Sequence, residues 1–161
     1  MTLASPLHFD HVGLNVADLD EAVRWYSANL DLEEDFAFAF QEFDFAGVML
    51  VHASGWRIEL ICRRGARQGI LADHPIAAAL TLGFSHFAVR VDDVAATYQR
   101  LVSAGATHRL GPQPGPERRM PMAFVADPYG NLIEILTRIP VREDGAEQDP
   151  PPSARAATAT A

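Results

Sequence analysis

Two histidines and two glutamates recur in this chain at one interval: His11 and His86, and Glu59 and Glu134, are each 75 residues apart. Glu134 is the more conspicuous carboxylate. It lies in "DPYGNLIEIL", where a turn cluster leads into Leu132, Ile133, Ile135 and Leu136, the pattern of a buried strand. A carboxylate among aliphatic neighbours is costly unless something pairs with it. Imidazole and carboxylate together suit one borderline divalent ion per site, such as Zn, Ni, Co, Fe or Mn. Four protein ligands would leave one or two positions for water or substrate. A lone strand His or Glu is ordinarily a packing or surface residue. Two of each at one spacing argue instead for a shared metal site.

The spacing belongs to an internal repeat. "HVGLNVADL" (11–19) lies over "HFAVRVDDV" (86–94), and "GWRIELI" (55–61) over "GNLIEIL" (130–136), giving six identities in sixteen pairs. Average composition would give about one, so the chain is a duplicated unit. In each copy an alternating strand leads into a helix with Asp18 or Asp93 at its N-cap, and Glu21 completes a capping box with Asp18. Leu19, Ala22, Val23, Tyr26 and Leu30 share a face of the first helix. Val94, Thr97, Tyr98, Leu101 and Val102 do so in the second, which stops near Gly105. Further strands fall at 36–40, 45–52 and 57–62, then at 107–110, 121–126 and 131–137, with a short helix expected in "HPIAAALTLG". The expected class is α+β, two tandem βαβββ modules at 8–62 and 83–139 with a linker at 63–82.

Strand alternation assigns the polar residues to faces. His11, Gly13 and Asn15 share one face of the first strand, opposite Val12, Leu14 and Val16, which must meet the helix. His86, Ala88 and Arg90 behave alike, as do Arg57, Glu59 and Ile61, and Leu132, Glu134 and Leu136. If both helix-free faces curl inward, the two His and two Glu converge.

The remaining composition narrows the setting. A net charge of −8 lacks the basic patch that phosphate binding needs, so nucleic acid is not an expected partner. The N-terminal "MTLASPLHFD" has neither a basic start nor an apolar run, so no signal peptide or membrane span is expected. Cys62 is the single cysteine, which excludes an intrachain disulfide and fits a reducing cytoplasm. From Pro140 to Ala161 the chain has no apolar periodicity and reads as a disordered tail, so the folded domain is expected within 1–139. A homodimer is the default for a small soluble enzyme.

"DHVGLNVADLDEAVRWY" and "FVADPYGNLIEIL" resemble the opening strand–helix and closing hairpin of the vicinal oxygen chelate superfamily. That superfamily includes glyoxalase I, methylmalonyl-CoA epimerase, extradiol dioxygenases and bleomycin-resistance proteins. The resemblance spans residues 8–137 and implies a U-shaped, partly open β-barrel cup. It places His11, Glu59, His86 and Glu134 where glyoxalase I-like enzymes have their metal ligands. Epimerases typically carry Gln in place of Glu59 and a His where Ser85 stands, although "HPIAAAL" resembles their linker helix. The implied activity is that of a metal-dependent lyase or isomerase, moving a proton next to a carbonyl through a metal-stabilised enediolate or enolate. Glu134 or Glu59 would be the base. Glu42 and Asp44 are second choices, from the region where epimerases place a non-ligand Glu.

Other residues bear on a small-molecule substrate. "FAFAFQEFDFAG" sets Phe36, Phe38 and Phe40 on one strand face, with Phe43 and Phe45 behind. Such clusters commonly pack in a core or a dimer contact; lining the cup, they would imply a bulky apolar or aromatic substrate. Arg118 and Arg119, in "GPQPGPERRMP", could hold an anionic group. Two other classes stand beside the lyase or isomerase. An Fe(II) extradiol-type dioxygenase would need the position of Glu59 left free. A metal-free antibiotic-sequestering protein would not need the ligand set.

Overall fold

The computed structural model describes residues 8–69, 72–117 and 120–138. Arg118 and Arg119, and the 140–161 segment expected to lack structure, lie outside the described residues. Each copy of the repeat builds a four-stranded mixed sheet with one long helix. The first comprises β1 (His11–Asn15), α1 (Leu19–Leu30), β2 (Leu32–Phe40), a single 3-10 turn (Gln41–Phe43), β3 (Phe45–His52) and β4 (Arg57–Arg63). A short helix α2 (Pro75–Ala78) follows. The second copy comprises β5 (His86–Arg90), α3 (Val94–Ser103), β6 (Thr107–Pro114), β7 (Pro121–Ala126) and β8 (Leu132–Leu136). The sheets are ordered β1-β4-β3-β2 and β5-β8-β7-β6, with β1 parallel to β4 and β5 parallel to β8. They are not closed into a barrel, as a cup requires. Among the described residues no helix is long and apolar enough to cross a membrane.

Asp18 and Asp93 cap their helices, accepting from the amides of Glu21 and Ala96 at 2.8 and 2.9 Å. The side chain of Glu21 turns outward to Tyr129 of the second module's hairpin at 3.4 Å. One face of each sheet buries against the helix layer, joining Leu14, Leu50, Ile58 and Leu60 with Val125, Ile133 and Ile135 in a single core. Trp25 and Asn29 of α1 are buried too, because the second module covers them.

Strand β2 is longer than the sequence pattern suggests and carries a β-bulge between Glu34 and Phe36. Leu32 and Glu34 pair with His52 and Leu50, on the register of the helix side. Unbroken alternation would keep Phe36, Phe38 and Phe40 on that side. The bulge inserts one residue and so reverses the faces beyond it. The three rings pair instead with Met49, Gly47 and Phe45 and are not part of the core.

The modules meet through a polar seam. Trp25 donates its indole N–H to the carbonyl of Ala104 at 2.9 Å, and Arg100 donates to the carbonyl of Asn29 at 2.8 Å. Adding or subtracting the repeat interval converts one bond into the other, so the modules face each other about an approximate two-fold axis. Beside them, Tyr26 donates at 2.6 Å to Asp127, whose carboxylate is 1 % exposed. Asp127 also accepts from the amides of Tyr129 and Asn131 and from the Asn131 side chain. Four donors make this burial tolerable.

Asp127→Ala removes all four acceptor contacts and leaves the Tyr26 hydroxyl stranded. It should cost about 3 kcal/mol or more in urea unfolding, against roughly 1–3 for Tyr26→Phe. Equal small losses would show that the network holds nothing together. Burial first, then Asp127, holds Tyr26 ionisation well above the usual tyrosine range, and burial and Glu21 push Tyr129 up to about 12. The folded chain therefore retains these protons where the unfolded chain, titrating near 10, loses them. The stability they confer is complete below about pH 10 and lost as pH rises toward 12. Tyr26→Phe should flatten that decline, measured as the unfolding midpoint across this window.

Candidate metal centre

His11 and Glu59 stand on adjacent parallel strands, and Gly13 lies opposite Glu59. A Cβ at Gly13 would meet the Glu59 carboxylate at 3.4 Å, an ordinary contact, and Ala88 carries such a Cβ opposite Glu134. Nε2 of His11 is 3.6 Å from Oε2 of Glu59. In the second module Nε2 of His86 is 3.2 Å from Oε2 of Glu134. Both pairs lie on the faces turned away from the helices. Glu134 is the less exposed carboxylate, at 13 % against 23 % for Glu59. The ring of Phe124 meets His86 edge-on at 5.1 Å; the repeat partner of Phe124 is Met49.

The other nitrogen of each histidine is also engaged. Asp10 lies 2.7 Å from Nδ1 of His11, and the Ser85 hydroxyl lies 3.1 Å from Nδ1 of His86. Asp10 and Ser85 are themselves repeat partners. A carboxylate only accepts, so in the neutral imidazole the bond to Asp10 places the proton on Nδ1 and leaves Nε2 as the nitrogen available to a metal ion. The bond to His11 holds the Asp10 carboxyl below the usual carboxylate range.

Do these atoms fit a divalent ion? Two ligand atoms each about 2.1 Å from one ion, at about 90–120°, stand about 3.0–3.6 Å apart. The separations of 3.2 and 3.6 Å match that span. Each pair thus offers half of a ligand set with its imidazole already oriented.

The four residues are not gathered into one cluster. Among the described residues no three His, Cys, Asp or Glu side chains are grouped to hold a metal. Alternation assigns the faces on which the four residues lie, and the structure sets them as two separate His–Glu pairs. His11 and His86 nevertheless line one cavity of about 1170 Å³ between the modules, bordered by edge strands β1 and β5 and by Trp56 and Arg57. Phe9 and Phe84 line it as well, two residues before His11 and His86 respectively. Their identity extends the repeat by two positions and was the unread signal for them.

Phe38 and Phe40 lie on the same sheet face as Glu59. Glu42 is exposed in the 3-10 turn beyond them, and Asp44 pairs with Arg64 at 3.4 Å. His74 caps α2, His108 bonds the Tyr98 hydroxyl, and His52 stacks on Trp56 where both line the same cavity.

Residues 8–135 match the sequence profile of the Glyoxalase/Bleomycin resistance protein/Dioxygenase superfamily. A protein of Vibrio parahaemolyticus named a probable lactoylglutathione lyase is 28% identical, over 78% of this chain and 87% of its own. One of Arabidopsis thaliana named a probable chloroplastic lactoylglutathione lyase is 29% identical, over 83% of this chain. The chain spans 36% of that plant relative. Among solved structures, a glyoxylase/bleomycin resistance protein/dioxygenase domain from Frankia sp. superposes with a TM-score of 0.66 at 23% identity, covering 83% of this chain and 98% of that one. Glyoxalase I of Zea mays gives 0.64 at 22%, covering 80% of this chain and 43% of that one. With the profile covering most of its length, two βαβββ modules and a His–Glu pair on each, this chain belongs to the Glyoxalase/Bleomycin resistance protein/Dioxygenase superfamily.

Proposed function

We propose that this protein is a divalent-metal-dependent lyase or isomerase of the glyoxalase type, acting on a small molecule with a proton next to a carbonyl. The observation that carries this reading is the pair of His–Glu half-sites, matched in spacing and repeated at one interval. The relatives named as probable lactoylglutathione lyases support it. His11, Glu59, His86 and Glu134 would hold the ion. A homodimer would complete the set, module one of one copy meeting module two of the other.

A bound divalent ion supplies a Lewis acid that stabilises negative charge on the substrate's oxygens. The chain's residues do the rest. Glu134, the more shielded carboxylate, takes the proton as the C–H bond breaks and its electron pair moves onto the adjacent carbonyl oxygen. It returns that proton to the former carbonyl carbon while the hydroxyl proton of the first carbon passes to the enolate oxygen and that carbon becomes the new carbonyl, so the carboxylate ends as it began. Glu59 is the alternative base in the other half-site. Asp10 and Ser85 keep the two imidazoles turned toward the carboxylates.

Metal content by mass spectrometry should give about one ion per completed site and a marked loss in Glu134→Ala. Turnover of thiol adducts of 2-oxoaldehydes should fall by about a hundredfold or more in the same variant. Zn, Ni or Co would favour the lyase or isomerase, and Fe would favour the dioxygenase. Protein that stays metal-free after each ion is supplied would exclude both. Asp10→Ala should weaken metal binding by about ten- to a hundredfold, and Ser85→Ala by less, since a neutral hydroxyl orients its imidazole more weakly.

The dimer has its own test. Co-expressed His11→Ala and His86→Ala chains, each unable to complete a site alone, should regain about a quarter of wild-type metal. Half of randomly mixed dimers would be mixed, each with one intact site of two. No recovery would place all four ligands within one chain.

A further inference from the structure

The first module's site face ends in a wall of phenylalanines that the proposed chemistry does not use. Phe38 is the hub, its ring centroid 6.2, 5.9 and 6.0 Å from those of Phe36, Phe40 and Phe45. Phe36 and Phe40 are 48 % and 52 % exposed. Two backbone features create the wall. The bulge before Phe36 turns these rings from the helix side to the site side. Gly47 then makes space, since a Cβ there would meet the Phe38 ring at 2.4 Å. Its repeat partner is Met122, so the second module has no such recess.

The wall is continuous with the metal half-site. Gly13, Glu59, Met49 and Phe36 form one cross-strand row. Phe36 is therefore two strand spacings, about 10 Å, from Glu59. That gap accommodates a metal-chelating carbonyl group followed by one ring. The charges around the wall are mixed: Glu33 precedes it and Glu42 and Asp44 follow it, Asp35 lies in the bulge, and Arg63 stands directly across from Phe45. Of these, Asp35 and Asp44 are paired with arginines. A charged group against these rings would lose its hydration with no partner on the wall to replace it, so the wall favours an uncharged ring.

We propose that this wall is the subsite for an uncharged aromatic ring on the substrate, making the substrate an aryl-bearing carbonyl compound. The proposal rests on the metal-centred reading above and names its substrate class. The ring stacks offset or edge-on against Phe36 and Phe38, while the carbonyl end reaches the His11–Glu59 pair.

The test is fluorine NMR on the full-length protein with 4-fluoroacetophenone as a neutral aryl probe and 4-fluorobenzoate as its anionic counterpart. The ketone should bind, perturb amides of β2 and β3, and lose about tenfold in affinity in Phe38→Ala. The benzoate should bind about tenfold more weakly than the ketone. Phe36→Ala provides a second variant, and neither ring belongs to the folding core. Equal ketone affinity in wild type and both variants, or perturbations confined to the second module, would overturn the proposal. So would a shift from dimer to monomer in both variants by size-exclusion chromatography, which would make the wall a contact between copies. Metal content is read in the same samples. Phe38-dependent ketone binding in a protein that takes up no ion upholds the subsite while removing the metal reading. Normal metal uptake with ketone binding indifferent to Phe38 removes the subsite alone.

Discussion

The arrangement of the two sheets depends on one buried carboxylate. Asp127 sits at the tight turn between β7 and β8, wholly enclosed, and the Tyr26 hydroxyl reaches it from the other module's helix. A buried charge tolerates little freedom in its donors, because each lost hydrogen bond exposes the full desolvation cost. The position of Tyr26 is thereby set, and α1 with it. The Trp25 and Arg100 bonds to opposite helix ends then fix the approximate two-fold relation. Which way the half-sites face follows from that seam. The seam network thus governs how the two His–Glu pairs are presented.

Duplication supplied two equal frames, and local substitutions made them unequal. Where module two has Asp127, module one has His52, stacked on Trp56 and bonded to Ser54. Where one imidazole is held by a carboxylate, the other is held by a hydroxyl. Phe124 packs edge-on against His86, whereas its repeat partner Met49 lies beneath a sheet face whose rings remain half open to solvent. The core-facing positions diverged less, since both sheets still present aliphatic side chains to one shared helix layer.

This contrast explains what was legible in the sequence. The first strands, both helices with their caps and the closing hairpins follow from period-two and period-3.6 patterns with turn residues at the ends. Those patterns also put His11, Glu59, His86 and Glu134 on the correct faces. Alternation assigns a face within one sheet, however, and says nothing of how two sheets are related. The division into half-sites is therefore invisible until the seam is known. Strand β2 was cut short because Glu33, Glu34 and Asp35 are poor strand formers, and because Asp31 ends the helix in a left-handed conformation usual for glycine. Trp25 and Asn29 lie beside the stripe formed by Leu19, Ala22, Val23, Tyr26 and Leu30, and their cover comes from a module distant in sequence. Strand β6 runs on to Pro114 because it lies at the sheet edge, where a missing amide donor is harmless.

The bulge at Asp35 shows how much one residue can decide. Counted by alternation from the buried Leu32, the phenylalanines belong to the core; with one residue inserted, they lie on the face that carries Glu59. A ligand set repeated by duplication has an approximate two-fold symmetry and cannot by itself distinguish the two ends of a substrate. Direction has to come from surroundings that the repeat does not share. The rings beyond the bulge, with Gly47 beneath Phe38 and Met122 at the matching place in module two, are such surroundings. In the proposed site, the orientation of a bound carbonyl, and with it the choice of carboxylate facing the labile hydrogen, would be set by the asymmetry of the walls rather than by the four His and Glu residues themselves.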